Sequence, residues 1–264
     1  MSIRNFLHNL SILTASMALT GCSGILSDVY DDPPAEDEVK LTQAGTLYID
    51  ASNWTEWHYI DLAEIADATA ADPDFNPSSA WVTLPVEMEQ TDDTSVRTGI
   101  YTNWYDVFGQ GISRWEPRDF YPTPAQPAPE HWSLAVHRNN FRTNGAEVAM
   151  TAYEDIDEMP MTLDYVKSLP FRADEWNTSD VWVVQDQMLL GLIGCQGIEI
   201  NPTLSDWLHV DIPPIPPAFT LNPKVMVMRL SDGTYAALQL ENYLSASGTK
   251  CCMTINYKYP LNLK

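Results

Sequence analysis

Methionine, histidine and cysteine are the side chains of this sequence that could offer a lone pair to a soft ligand. Met159 and Met161 flank Pro160, Met188 stands between Gln185-Asp186-Gln187 and Leu189-Leu190-Gly191, and Met226 and Met228 alternate along one apolar run. A thioether is neutral and needs no deprotonation, which suits soft metals and haem iron, although the ordinary use of methionine is to fill gaps in a core. His131 and His137 bracket the run His131-Trp132-Ser133-Leu134-Ala135-Val136-His137-Arg138. A period of two puts both imidazoles opposite Trp132, Leu134 and Val136, roughly 20 Å apart along the strand. That separation favours hydrogen-bonded strand histidines over a shared metal. Cys195 and the adjacent pair Cys251-Cys252 show no CxxC spacing, so structural zinc is disfavoured, while a disulfide from Cys195 to one of the pair stays open.

No GxSxG elbow, HExxH, P-loop or GxGxxG pattern occurs. Carboxylates are so abundant, with 36 Asp and Glu, that no chosen pair points to glycosidase chemistry. The expectation is a binding protein, not an enzyme. Against 14 Lys and Arg the acids leave a net charge of -22, which repels a polyanion and rules against nucleic acid as partner.

Residues 2–21 carry Arg4 and then an apolar stretch, Phe6 to Leu19, too short and mixed for a permanent membrane span and laid out as a secretory signal. It closes on Leu19-Thr20-Gly21-Cys22, which resembles the lipobox of bacterial lipoproteins, where the signal is removed and Cys22 is acylated. Several acyl chains hold a protein on a membrane where one does not. Ser23 after the cysteine, in place of Asp, favours the outer membrane, at its periplasmic face or on the cell surface. The acidic stretch around Pro33-Pro34 reads as a solvated tether, giving a signal peptide over 1–21, a lipidated cysteine and tether over 22–45, and one folded domain over 46–264.

The elements that must position any site are short and strand-like. Apolar alternation recurs in nine segments: 46–50, 57–62, 81–86, 132–138, 148–153, 181–185, 225–230, 235–240 and 252–257. The clearest pair, 224–230 and 234–240, is joined through Ser231-Asp232-Gly233, a hairpin turn signal, and a third strand at 252–259 extends the meander. Residues 61–71 are the one plausible helix. Two Pro-rich connections, 117–129 and 202–223, exceed simple turns and read as functional or disordered loops. The fold class expected is all-β, a single domain of antiparallel sheets with long Pro-rich loops.

Several segments taken together resemble the HmuY-type haem-binding lipoproteins of Gram-negative bacteria. They are Trp57-His58-Tyr59-Ile60-Asp61-Leu62, the His131–Arg138 run followed by Arg142-Thr143-Asn144-Gly145, and Ile215-Pro216-Pro217-Ala218-Phe219-Thr220-Leu221 followed by Lys224-Val225 and Asp232-Gly233-Thr234-Tyr235-Ala236-Ala237. The resemblance implies an all-β body that grips one haem between loops with two axial side chains, methionines in most members. Met188 falls where the first ligand lies. The second family methionine stands directly before the Pro-Pro, and here that position is Ile215, which has no lone pair to give. The second bond is then open to His209 in the same Pro-rich segment, to Met159 or Met161, or to no side chain. Haem propionates would look to Arg138, Arg142 or Lys224.

The resemblance thus implies a lipid-anchored protein that captures haem, or a related porphyrin, and delivers it to a TonB-dependent outer-membrane receptor. The competing expectation is a surface lipoprotein on the same scaffold that has lost haem ligation and binds a glycan or protein partner through aromatics such as Trp104, Tyr105 and Trp115.

Overall fold

The computed structural model describes residues 45–77, 81–86, 103–106, 111–115, 126–177, 180–185, 192–195, 197–211 and 218–264. All its strand pairings are antiparallel, as expected from the alternating runs. A five-stranded sheet runs in the order Thr46–Asp50, Lys250–Lys258, Tyr235–Leu244, Met226–Arg229, Glu147–Met150. A four-stranded sheet orders Val82–Pro85, Glu56–Ile60, Leu134–His137 and Asn140–Thr143, and another orders Trp182–Val184, Leu192–Cys195, Asn103–Asp106 and Gly111–Trp115. Two ribbons complete it: Glu175–Asn177 with Ile198–Ile200, and Leu208–Asp211 with Ala218–Leu221.

The expected Asp-Gly hairpin forms, with Met226 opposite Leu238 and Arg229 opposite Tyr235. Gly233 takes φ +86, a left-handed conformation that an L side chain resists, while Asp232 Oδ1 accepts from the Thr234 N–H and hydroxyl at 2.8 and 2.7 Å. The meander continues into Lys250–Lys258 as its alternation implied.

The sheet holding Leu134–His137 lies between two apolar layers, which is why all four of its residues are buried. Ile60, Leu134, Val136 and Phe141 join Leu47, Ile49, Met226 and Met228 in the main core. Trp57, Tyr59 and Ala135 face the other way, onto Val181, Val183, Ile198 and Ile200. Trp132 departs from the expected alternation: it precedes the strand, and its ring packs on this second layer, edge-on to Tyr59 at 5.1 Å. Met159 is sealed in a third cluster with Val166, Val225 and Val227, so neither it nor the buried Met226 and Met228 has a lone pair free for a ligand.

The helix is Leu62–Ala71, entered through Asp61, whose Oδ1 accepts from the N–H groups of Ala63 at 2.9 Å and Glu64 at 3.4 Å. The Ser133 hydroxyl contacts the same carboxylate at 3.4 Å and accepts from Leu62 N–H at 3.1 Å, tying the helix start to the middle sheet. Asp61→Ala is expected to cost about 1 kcal/mol of unfolding free energy, the usual worth of such a cap, read as a lower urea midpoint at unchanged slope.

The described parts of the Pro-rich segment 202–223 hold a short helix and two strands. Asn201 caps a one-turn helix, Pro202–Ser205, by accepting from Thr203 and Leu204 N–H at 3.1 and 3.0 Å, with Pro202 at the first helical position where its missing N–H costs nothing. The Leu208–Asp211 and Ala218–Leu221 ribbon follows. Of the 117–129 connection, 126–129 are described and the rest lie outside the described residues. Among the described residues Cys195, Cys251 and Cys252 form no disulfide with one another. Cys195 and Cys251 belong to different clusters, which keeps those two apart.

Candidate ligand-binding cleft

One cleft of about 230 Å³ is walled by elements distant in sequence. Asn139 and Asn140 come from the turn and strand after His137, Asn177 and Asp180 from the end of the Glu175–Asn177 strand, Trp182 from the next strand, and Leu208, His209 and Val210 from the ribbon. Asn140 is 1% exposed and its Nδ2 donates to the Asp180 carbonyl at 2.9 Å. Asp180 N–H donates to Asn177 Oδ1 at 2.8 Å, and Asn177 Nδ2 donates back to Asp180 Oδ2 at 2.6 Å. These reciprocal bonds stiffen the polar wall. The Asn-x-x-Asp spacing of 177 and 180 is a local turn signal, but nothing along the chain joins it to residues 140 or 209.

His209 lies exposed on this wall, with Nε2 3.0 Å from Asp211 Oδ1 on the same face of its strand. A carboxylate only accepts, so Nε2 carries the proton in this contact. Val210 and Leu208 turn inward beside it, and Trp207 anchors the ribbon in the main core.

Met188, Ile215 and Cys22 lie outside the described residues. Their attachment points do not. Gln185 follows the Trp182–Val184 strand and stands three residues before Met188, a reach of about 10 Å for extended chain. Asp211 and Ala218 are register partners, so the six residues between them, which include Ile215, connect the paired strands of the ribbon at that end. Trp104, Tyr105 and Trp115 sit on the Asn103–Asp106 and Gly111–Trp115 strands, whose side chains are outside the described set.

The cations named from sequence are engaged elsewhere. Arg138 does not line the cleft. Its guanidinium covers the Trp54 ring at 4.2 Å and Nη1 donates to the Ser52 carbonyl at 2.8 Å, with burial lowering its pKa. Arg142 lies between the rings of Trp132 and Trp57, at 5.2 and 5.7 Å. Lys224 Nζ donates to Glu154 Oε1 at 2.7 Å and to the Ala152 carbonyl at 3.1 Å.

The two strand histidines part company. His131 is exposed beside Glu130. His137 is wholly buried, with Nδ1 3.0 Å from the Glu56 carbonyl and Nε2 3.1 Å from the Trp182 carbonyl. Burial pushes its pKa down to about 4, helped by the Arg138 and His58 charges and opposed by the two carbonyls. Among the described residues no group of three or more His, Cys, Asp or Glu is placed to hold a bare metal ion.

The HmuY family model matches residues 53–257. The chain belongs to the HmuY family. The matched span holds every element of the cleft. Among solved structures this HmuY chain is similar to a protein of Bacteroides fragilis assigned as a lipoprotein, at 26% identity and TM-score 0.55 over 88% of this chain and 98% of that one. It is also similar to a protein of Bacteroides vulgatus assigned as an HmuY-like haem-binding protein, at 29% identity and TM-score 0.51 over 83% and 92%. The apo HmuY analogue of Tannerella forsythia shares the fold, with 18% identity and TM-score 0.50 over 86% and 97%. No curated protein matches the chain.

Proposed function

We propose that this HmuY protein is a lipid-anchored haem carrier, held at the outer membrane through Cys22, which takes haem or a related tetrapyrrole at the Trp182–His209 cleft and passes it to a TonB-dependent receptor. The observation that carries the reading is the convergence of two chain segments: the strands leading to Met188 and to Ile215, the positions of the family's two axial ligands, wall the same cleft. The donor set fits this cargo. Met188 supplies a neutral thioether, and His209, on the cleft wall, is the second donor, replacing the bond Ile215 cannot make once its Nε2 leaves Asp211. The described walls enclose less than the roughly 300–1,000 Å³ of whole small-molecule sites, so a porphyrin seated there extends past them.

The energetics make those bonds decisive. Burying roughly 400 Å² of apolar porphyrin at about 25 cal/mol per Å² gives on the order of 10 kcal/mol, comparable to an association cost of about 4–15 kcal/mol. No turnover chemistry is needed. Haemin titrated into the full chain in mild detergent, against a protein-free blank, should give a sharp visible band. Met188→Ala and His209→Ala should each weaken it roughly tenfold, about 1.4 kcal/mol per lost directional contact, and Ile215→Met should shift the spectrum toward six-coordination. A folded wild-type chain without spectral change overturns the reading.

The polar wall favours one second reading. Amides and a carboxylate beside an indole, as in Asn139, Asn140, Asn177, Asp180 and Trp182, are also the groups that hold a sugar. On that reading the protein is a surface lipoprotein for a glycan or a protein partner. Retention on a glycan panel with none on haemin-agarose selects it.

A further inference from the structure

Trp182 is gripped from two directions by residues adjacent in sequence. His137 Nε2 lies 3.1 Å from the Trp182 carbonyl while Nδ1 lies 3.0 Å from that of Glu56, so one buried ring is lodged between the cleft-wall strand and the middle sheet and donates to one of the two carbonyls. Arg138 lays its guanidinium 4.2 Å over Trp54, and Trp54 stacks on Trp182 with centroids 6.4 Å apart and planes 22° from parallel. The arginine is itself fixed: it adopts φ +52, its N–H donates to the Ala51 carbonyl at 3.1 Å, and Nη1 donates to Ser52. Ile193 and Cys195 belong to the same small cluster, and Cys195 is the direct register partner of Trp182. Trp182 lines the cleft, and its indole lies on a fixed support, the Trp54 ring.

We infer that Trp182 is the aromatic wall on which a flat macrocycle stacks, and that Trp54, braced by Arg138, is the positioning residue that sets its plane. This rests on the haem reading of the cleft. An indole presents a broad apolar face to an offset-stacked partner, and holding that face in place before binding removes the cost of ordering it afterwards. The same stack explains why Arg138 lies outside the cleft and still matters to it.

Haemin titrations of the full chain test this. Trp182→Leu should weaken binding roughly three- to tenfold, the scale of one aromatic stack. Trp54→Leu should weaken it by a similar or smaller factor, and the double variant should bind no more weakly than Trp182→Leu alone, because Trp54 acts only through Trp182. Trp54→Phe, which keeps a ring for both neighbours, should restore most of the affinity. Induced circular dichroism of the bound haem should fall in both leucine variants, a signal that general loosening at matched thermal stability would leave in place. Wild-type affinity in Trp182→Leu, or losses that multiply in the double variant, overturn the inference while leaving the haem reading intact. Absence of a haem band in the wild type overturns the haem reading itself. Should Trp182→Leu fail to fold, unchanged affinity and ellipticity in Trp54→Leu overturn it equally, and weakened binding restored by phenylalanine supports it.

Discussion

Lowering the pH from about 6.5 to 4 should remove about 3 kcal/mol of stability through His137 alone. In the folded chain this imidazole is fully buried and its pKa is pushed down to about 4, below the ordinary 6.5. The unfolded chain therefore binds the proton first, and stability falls as pH drops across that window and is complete above it. The size follows from about 1.4 kcal/mol per pH interval over which only the unfolded chain is protonated. Loss of hydration dominates. The Glu56 and Trp182 carbonyls pull the other way, since a neutral ring donates to only one of them and a charged ring to both. Arg138 and His58 add to the downward shift by like-charge repulsion. Carboxylates also titrate as the pH falls, so the comparison must be with His137→Gln, which stays neutral throughout. Urea unfolding should show the wild type more stable at pH 7, by about 1–3 kcal/mol for a carbonyl left without its donor, and the gap should shrink or reverse near pH 4. A gap that stays constant with pH overturns the assignment.

His137 also shows where sequence reasoning stops. Its strand was legible from alternation, and its hydrogen-bonded role follows from the distance to His131, but its second carbonyl comes from Trp182, 45 residues on. The hairpin at Asp232-Gly233 and the helix after Asp61 were legible because each is specified locally, by a turn needing positive φ and by a cap with its acceptor two or three residues from the donors. The ribbon at Leu208–Asp211 was not, since four residues among prolines carry too little alternation to register. The site divides the same way. Met188 and Ile215 came from family resemblance, and His209 from its place in the Pro-rich segment. Trp182, Asn140 and Asp180 gave no signal, because what unites them is packing between sheets. Arg138 carried the right charge for a propionate, but charge says nothing about Trp54 lying beneath it.

The ribbon supplies the second large effect, because Trp207 is its root. The side chain is fully buried in the main core and meets Phe141 edge-on, centroids 4.9 Å apart and planes 89° from parallel. Its N–H donates to Leu204 at 3.1 Å and its carbonyl accepts from Asn222 at 2.8 Å, so the residue closes both ends of the segment carrying His209. Trp207→Ala should cost about 3–5 kcal/mol, the range for emptying an indole-sized core site, read as a lower urea midpoint. Trp207→Phe should cost far less, about 1–2 kcal/mol. Nε1 is buried without an acceptor among the described residues, so losing that N–H relieves an unmet group while the edge contact with Phe141 is largely kept. Beyond the ribbon's own pairing, Phe219 stacks on Tyr243 at 5.8 Å and Lys250 covers Phe219 at 4.4 Å, so the strand returning from the Pro-rich turn has a separate hold on the large sheet. Hydrogen exchange in Trp207→Ala should therefore accelerate most at Leu208–Asp211, less at Ala218–Leu221, and least at Met226–Arg229. Uniform acceleration across all three would mean that Trp207 stabilises the domain as a whole and not the cleft wall in particular.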